Sequence, residues 1–177
     1  MHGSVRKWAA RHLERIGPVA SCLELGSMDV NGSLRPLVRT GRYVGVDLRA
    51  GPGVDVVMDA ADAWRLGTFE LVLATELLEH ARDWVGVVES IKRACGPHGY
   101  MIVTARGPGY KYHPHPEDHW RFTRRVLANA FRDVHIIDIR DDPDPTRPGV
   151  CLAAFKPLGS DRAPIYLDAE PAPVPVA

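Results

Sequence analysis

Short, almost wholly apolar runs alternate with amphipathic stretches along most of this chain. The runs lie at 19–25, 42–47, 54–58, 69–75 and 100–104, and most end at Gly, Asp or Thr. Runs that are apolar at nearly every position suit strands buried on both faces of a parallel sheet. Between them the period lengthens. Over residues 4–16, Val5, Trp8, Ala9, His12, Leu13 and Ile16 recur at helical spacing, and Gly17-Pro18 stops the pattern. A helix is predicted over 33–40, starting near Pro36, which suits a first turn. Residues 60–66 read as a short helix or turn. A long helix is predicted over 77–95, with Leu78, Trp84, Val87, Val88 and Ile91 on one side and Gly96-Pro97-His98-Gly99 at its end. Thr123 opens another, over 123–131, as its cap.

Strands that alternate with helices predict a doubly wound, mostly parallel α/β sheet. Two further β-rich runs, 134–139 and 150–155, have no helix between them. They predict an antiparallel hairpin at the sheet edge, which makes a seven-stranded sheet with an antiparallel last strand. From residue 159 the chain is proline-rich and aperiodic, an extended or disordered tail. The organisation is thus one domain over 1–158, with an N-terminal helix inside 1–17, and a tail over 159–177.

Composition narrows the partners. The 177 residues carry 22 basic and 22 acidic side chains, so the formal charge is zero. Nothing pulls the chain toward nucleic acid or anionic lipid. Cys22, Cys95 and Cys151 form no CxxC pair, which argues against zinc-finger and disulfide frameworks. No signal peptide and no membrane-spanning apolar run is visible. A cytoplasmic protein with reduced thiols is expected, with no nucleic-acid or membrane partner and an oligomeric state left open.

In parallel α/β sheets, ligands bind beyond the carboxyl ends of the strands. Candidate contacts recur there in chain order. Glu24 sits on the first strand, and the turn after it carries Gly26, Ser27, Asp29, Asn31 and Gly32. Asp47, followed by Leu48, ends the second strand and is placed for ribose hydroxyls. Asp59-Ala60 ends the third, placed for an exocyclic amino group. Thr75-Glu76 ends the fourth, and His80 follows where the next helix begins. One glycine turn is often only a turn, and one Asp after a strand is often only a cap. Four such sites in order point to a nucleoside-containing cofactor.

These segments resemble the class I S-adenosylmethionine-dependent methyltransferases, of the small kind called methyltransferase type 11. Glu24-Leu25-Gly26-Ser27 resembles the first motif of that family, and Tyr43-Val44-Gly45-Val46-Asp47 the second. The stretch from Phe69 through Thr75-Glu76-Leu77-Leu78-Glu79-His80 resembles its strand-four segment, and Gly96-Pro97-His98-Gly99-Tyr100 its turn before strand five. The likeness covers residues 19–156. It departs at Met28 and Val30, where the family carries further glycines. The resemblance implies a Rossmann-like sheet. It implies S-adenosylmethionine as cofactor and S-adenosylhomocysteine as product, with Gly26 and its neighbours at the amino-acid end. Asp47 would take the ribose, Leu48 the adenine face, Asp59 the adenine amino group, and Thr75 and Glu76 the sulfonium surroundings. The missing GxGxxG argues against NAD.

The loop after the fifth strand, 105–122, should overhang the site. It holds His113, His115, Glu117 and His119 in alternation. Histidine titrates near neutral pH, so His119 or His115 is the expected general base. The same residues match no standard zinc spacing, and no metal is expected. The expected activity is methyl transfer to an oxygen or nitrogen of a small-molecule acceptor. The alternative is a non-catalytic cofactor-binding or partner-dependent regulatory subunit. The fourth strand's end lacks the Asn/Asp-Pro-Pro-aromatic segment of amino-methylating DNA enzymes, and no Pro-Cys pair offers a nucleophile for pyrimidine carbon.

Overall fold

The computed structural model describes residues 2–114, 117–160 and 171–174. Helix α1 (Gly3–Ile16) leads into strand β1 (Val19–Leu25). Strands β2 (Thr40–Asp47), β3 (Val56–Val57) and β4 (Phe69–Thr75) follow, then α2 (Trp84–Ala94) and β5 (Cys95–Arg106). The short β6 (Trp120–Arg121), helix α3 (Arg124–Ala130), β7 (His135–Asp141) and β8 (Gly149–Phe155) complete the domain.

The main sheet has the order β3-β2-β1-β4-β5-β8-β7. The β1–β2, β1–β4, β2–β3 and β4–β5 pairs are parallel, and β8 runs antiparallel to both β5 and β7. The hairpin is at the edge, as the sequence predicts, with the last strand inserted between β5 and β7. After β3 the chain returns to the other side of β1. The order therefore reverses between β1 and β4, where a crevice opens.

Successive residues of a strand face opposite sides of the sheet. On β5, Met101, Val103 and Ala105 pack with α2 and α3, whereas Ile102 packs on the α1 side with Cys151 and Ala153 of β8. Trp8 and His12 of α1 both reach Asp138 Oδ2 on β7, each at 3.0 Å. Burial alone would raise the Asp138 carboxyl, but its bonds from Arg140, Trp8 and His12 hold it below the usual range. On the other face, Lys92 of α2 pairs with Asp133 at 2.6 Å, both side chains nearly buried. The three cysteines are free and buried. Burial raises all three thiols, those of Cys95 and Cys151 to about 12. Among the described residues, no helix is long and apolar enough to cross a membrane.

Several predicted elements change form. The helix over 33–40 shrinks to one 3₁₀ turn, Arg35–Leu37, with Leu34 buried beneath it. A proline inside eight residues leaves too few hydrogen bonds to offset helix nucleation. The helix over 77–95 divides into a 3₁₀ turn, Leu78–His80, and α2. Asp83 accepts a bond from Gly86 N–H and restarts the helix as its cap. The third strand keeps two residues. The fifth absorbs the Gly96–Gly99 turn as an irregularity, with the register shifting between Phe69 and Leu71 and His98 at φ 60°. Of the tail, 161–170 and 175–177 lie outside the described residues. Strand β9 (Ala172–Pro173) pairs antiparallel with β6, so this part of the tail is not a free end but returns to the domain.

Candidate functional site

A cavity of about 1040 Å³ opens at the carboxyl ends of β1, β2 and β4, over the switch in strand order. Glu24, Gly26, Ser27, Asn31, Gly32, Asp47, Leu48, Asp59, Ala60, Thr75, Glu76 and His80 all line it. Asp29 does not. Its carboxylate accepts a bond from Gly32 N–H at 2.7 Å and shapes the loop from within.

Glu24 is the acid at the floor. Burial raises its carboxyl to about 7, although the Tyr43 hydroxyl, which donates to Oε2 at 2.7 Å, and the Arg35 charge pull the other way. Gly26 turns the chain at φ 71°, a conformation that costs a glycine little. Its N–H and that of Ser27 both donate to the Val46 carbonyl, which binds the turn to β2. The expected helix N-terminus after this turn is absent, since only the three-residue 3₁₀ turn follows. The ligand-facing backbone is instead packed from behind. A Cβ on Gly45 would fall on the Gly53 carbonyl oxygen and stand 2.7 Å from Ser27 Oγ.

Asp47 joins two loops, accepting from Met28 N–H at 3.2 Å and Arg49 N–H at 3.4 Å. Asp59 caps the 3₁₀ segment Ala60–Leu66 through Ala61 N–H, so the capping role and the place at the cavity wall coexist. Leu48 is 59% exposed although apolar, an uncovered surface inside a cavity. Ser27 Oγ is buried without a hydrogen-bond partner. A buried acid, a second acid at the next strand end, an orphaned hydroxyl and a bare apolar side chain fit a ligand that carries an amino group, a diol and a flat ring.

Beyond Thr75 the chain enters left-handed backbone at Glu76, φ 54°, held by Glu76 N–H bonds to Thr104 O and Oγ1, both 3.0 Å. Such strain in a non-glycine residue is sustained by surrounding structure and gathers at functional sites. The Glu76 carboxylate pairs with the buried Arg106 guanidinium and with His2, whose Nδ1 lies 2.5 Å from Oε1. Arg106 also meets Asp142 at 3.4 Å and the Arg147 carbonyl at 3.1 Å. Sequence reasoning missed both His2 and Arg106. Arg106 left a signal, a charge at the end of an apolar strand. His2 left none, because its partner is far along the chain.

The loop over the site is held by an internal ion pair. Arg121 grips Asp118 through both terminal nitrogens, at 2.5 and 2.7 Å. Burial would raise the Asp118 carboxyl, but Arg121 and the His113 N–H hold it low. Asp118 Oδ2 also lies 2.9 Å from His113 Nδ1, and burial lowers the His113 imidazole. His80 donates through Nδ1 to the Glu117 carbonyl and packs edge-on to His113, with centroids 4.9 Å apart. The histidines on the cavity wall are therefore His2, His80 and His113 among the described residues. His119, favoured from sequence, is not on that wall. Its N–H donates to the Glu79 carbonyl, its carbonyl accepts from Val174 N–H, and its ring meets Glu117 at 2.8 Å. His115 lies outside the described residues.

No protein-family model matches the chain, and no curated protein matches its sequence. Solved structures match in fold. One is the 1,6-didemethyltoxoflavin-N1-methyltransferase of Burkholderia thailandensis, with 1,6-didemethyltoxoflavin and S-adenosylhomocysteine bound. It is 17% identical at a TM-score of 0.65, covering 86% of this chain and 78% of that one. The N-methyltransferase NodS of Bradyrhizobium japonicum is 13% identical at 0.64, covering 88% and 98%. A Haloferax volcanii methyltransferase complex with the Trm112 activator gives 18% identity at 0.66, covering 88% and 90%. The chain has the fold of the class I S-adenosylmethionine-dependent methyltransferases.

Proposed function

We propose that the protein is an S-adenosylmethionine-dependent methyltransferase that transfers a methyl group to an oxygen or nitrogen of a small-molecule acceptor. The observation that carries this reading is the gathering of Glu24, Asp47, Leu48 and Asp59 around one cavity, in strand order, at the switch point of the sheet. Glu24 would hold the ammonium, Asp47 the ribose hydroxyls, Leu48 the adenine face and Asp59 the adenine amino group, while the Gly26–Ser27 turn follows the amino-acid end. When bound, the cofactor supplies a methyl already activated by its sulfonium and leaves as S-adenosylhomocysteine. The protein's task is then to align the acceptor and let its proton depart. Thr75 and Glu76 line the cavity, and so do Tyr110 and His113 of the loop after β5. That enclosure and the zero net charge favour a small molecule over nucleic acid or a membrane, and the unpaired cysteines favour a cytoplasmic setting.

Calorimetric titration with S-adenosylmethionine, S-adenosylhomocysteine and NAD tests the reading. Binding of the first two and not the third is expected, and silence from both sulfur nucleosides would overturn it. The Trm112 complex in the same fold keeps a second reading in view, a subunit that needs a partner to turn over. Cofactor binding without methylation of any acceptor in a broad screen would favour that second reading.

A further inference from the structure

Glu79 is wholly buried beside the cavity, and neither of its carboxylate oxygens has a hydrogen-bond partner. Arg106 Nε stands 3.9 Å away, beyond hydrogen-bond reach. That one guanidinium already answers Glu76 and Asp142, so three carboxyl groups gather around one buried arginine cation. A buried carboxyl left this short of partners is costly. Two imidazoles lie against the same carboxylate. One ligand-capable atom from each of Glu79, His80 and His113 falls within 4.8 Å of the other two.

The protonation of the two rings can be read from their partners. His80 Nδ1 faces the Glu117 carbonyl, which only accepts, so that nitrogen carries the hydrogen. His113 Nδ1 faces the Asp118 carboxylate at 2.9 Å, an acceptor held in place by Arg121. In each neutral ring the lone pair therefore sits on Nε2. An imidazole that donates one N–H to a carboxylate or carbonyl, leaving the other nitrogen free, is the usual orientation of a metal-ligating histidine.

From these contacts the geometry points to a divalent transition-metal site made by Glu79, His80 and His113, at the acceptor end of the cavity. Two imidazoles and one carboxylate suit zinc, iron(II) or cobalt(II) better than the all-oxygen ions magnesium and calcium. Ligand atoms on tetrahedral zinc stand about 3.3 Å apart, so the three side chains would draw in around an ion. His80 and His113 line the cavity, which leaves the remaining coordination positions open to it. A Lewis acid there lowers the pKa of a hydroxyl that approaches it. That consequence rests on the methyl-transfer reading and selects an oxygen acceptor. The metal site itself stands on these residues alone.

The test is titration of chelator-stripped protein with zinc chloride by calorimetry, and with cobalt chloride by visible absorption. Saturable binding of one ion is expected, with a cobalt spectrum of low coordination number. His113→Ala, in the half-buried loop, and Glu79→Gln, which preserves shape, should each weaken binding about tenfold or more. His119→Ala should leave it unchanged, which separates this cluster from chelation by the alternating loop histidines. Absence of saturable binding, or binding that survives both His113→Ala and Glu79→Gln, overturns the proposal. Titration of the same stripped protein with S-adenosylmethionine reports on the cofactor separately, so the two readings fail independently.

Discussion

The Tyr43 hydroxyl donates to Glu24 Oε2 at 2.7 Å, tying neighbouring strands β1 and β2 at the floor of the cavity. Burial nevertheless lifts the Glu24 carboxyl from 4.5 to about 7. The folded state thus holds a proton that the unfolded chain releases. Glu24's contribution to stability is full below about pH 4.5 and is lost as pH rises through about 7, on the order of 3 kcal/mol in all. Urea denaturation of ligand-free protein across this window should show the decline, and Glu24→Gln should flatten it.

A cationic amino group beside Glu24 favours the carboxylate. Binding of S-adenosylmethionine below pH 7 should therefore release a proton, and affinity should rise with pH until about 7. Calorimetry in buffers of different ionisation enthalpy reads the proton directly. Tyr43→Phe removes a bond to the charged form, so the rise should move to higher pH.

Asp47→Ala should weaken cofactor binding by about 1.5–3 kcal/mol, the range for losing a charged hydrogen-bond acceptor. The fold should persist, because the bonds Asp47 makes within the protein, from Met28 and Arg49, are long at 3.2 and 3.4 Å. Unchanged affinity in an equilibrium titration would place the ribose elsewhere.

Gly45 and Gly41 both lie on β2 and should respond differently to alanine. At Gly45 a Cβ would strike the Gly53 carbonyl and crowd Ser27, whereas at Gly41 the nearest atom is 4.0 Å away. Gly45→Ala should cost about 1–3 kcal/mol by overpacking and also weaken cofactor binding through the displaced turn. Gly41→Ala should do neither. Thermal melts with and without S-adenosylhomocysteine compare the two.

Arg106→Met should destabilise by about 3–5 kcal/mol, because Glu76, Glu79 and Asp142 would then share a buried site without their cation. Adding Glu76→Gln to that variant should recover part of the loss. A double-mutant cycle in denaturant measures the coupling.

Most of the sheet could be read from the chain, because its central strands β1, β4, β5 and β8 are buried over most of their length and show as apolar runs. The parallel topology then locates the carboxyl edge, and the acids at 24, 47 and 59 follow. Helix beginnings were less visible. Asp83 resets the start of α2 through one side-chain bond, which periodicity does not register. The candidate site's far wall was hidden for a different reason. His2 meets Glu76 and Tyr110 through contacts between distant segments that leave no local pattern. In the loop, alternation named the right residue types but not which histidine faces the cavity. That depends on Asp118 and Arg121, whose pairing only the folded chain reveals.

The three sequestered thiols give this protein a built-in gauge of its own breathing. A thiol reacts as thiolate, and only when a reagent can touch it. Cys22 lies in the centre of the sheet, Cys95 where α2 meets β5, and Cys151 on the antiparallel side. Alkylation of each would therefore proceed at the pace at which its own part of the sheet opens. Mass spectrometry of timed labelling would then compare the parallel centre with the antiparallel margin, with no foreign dye attached.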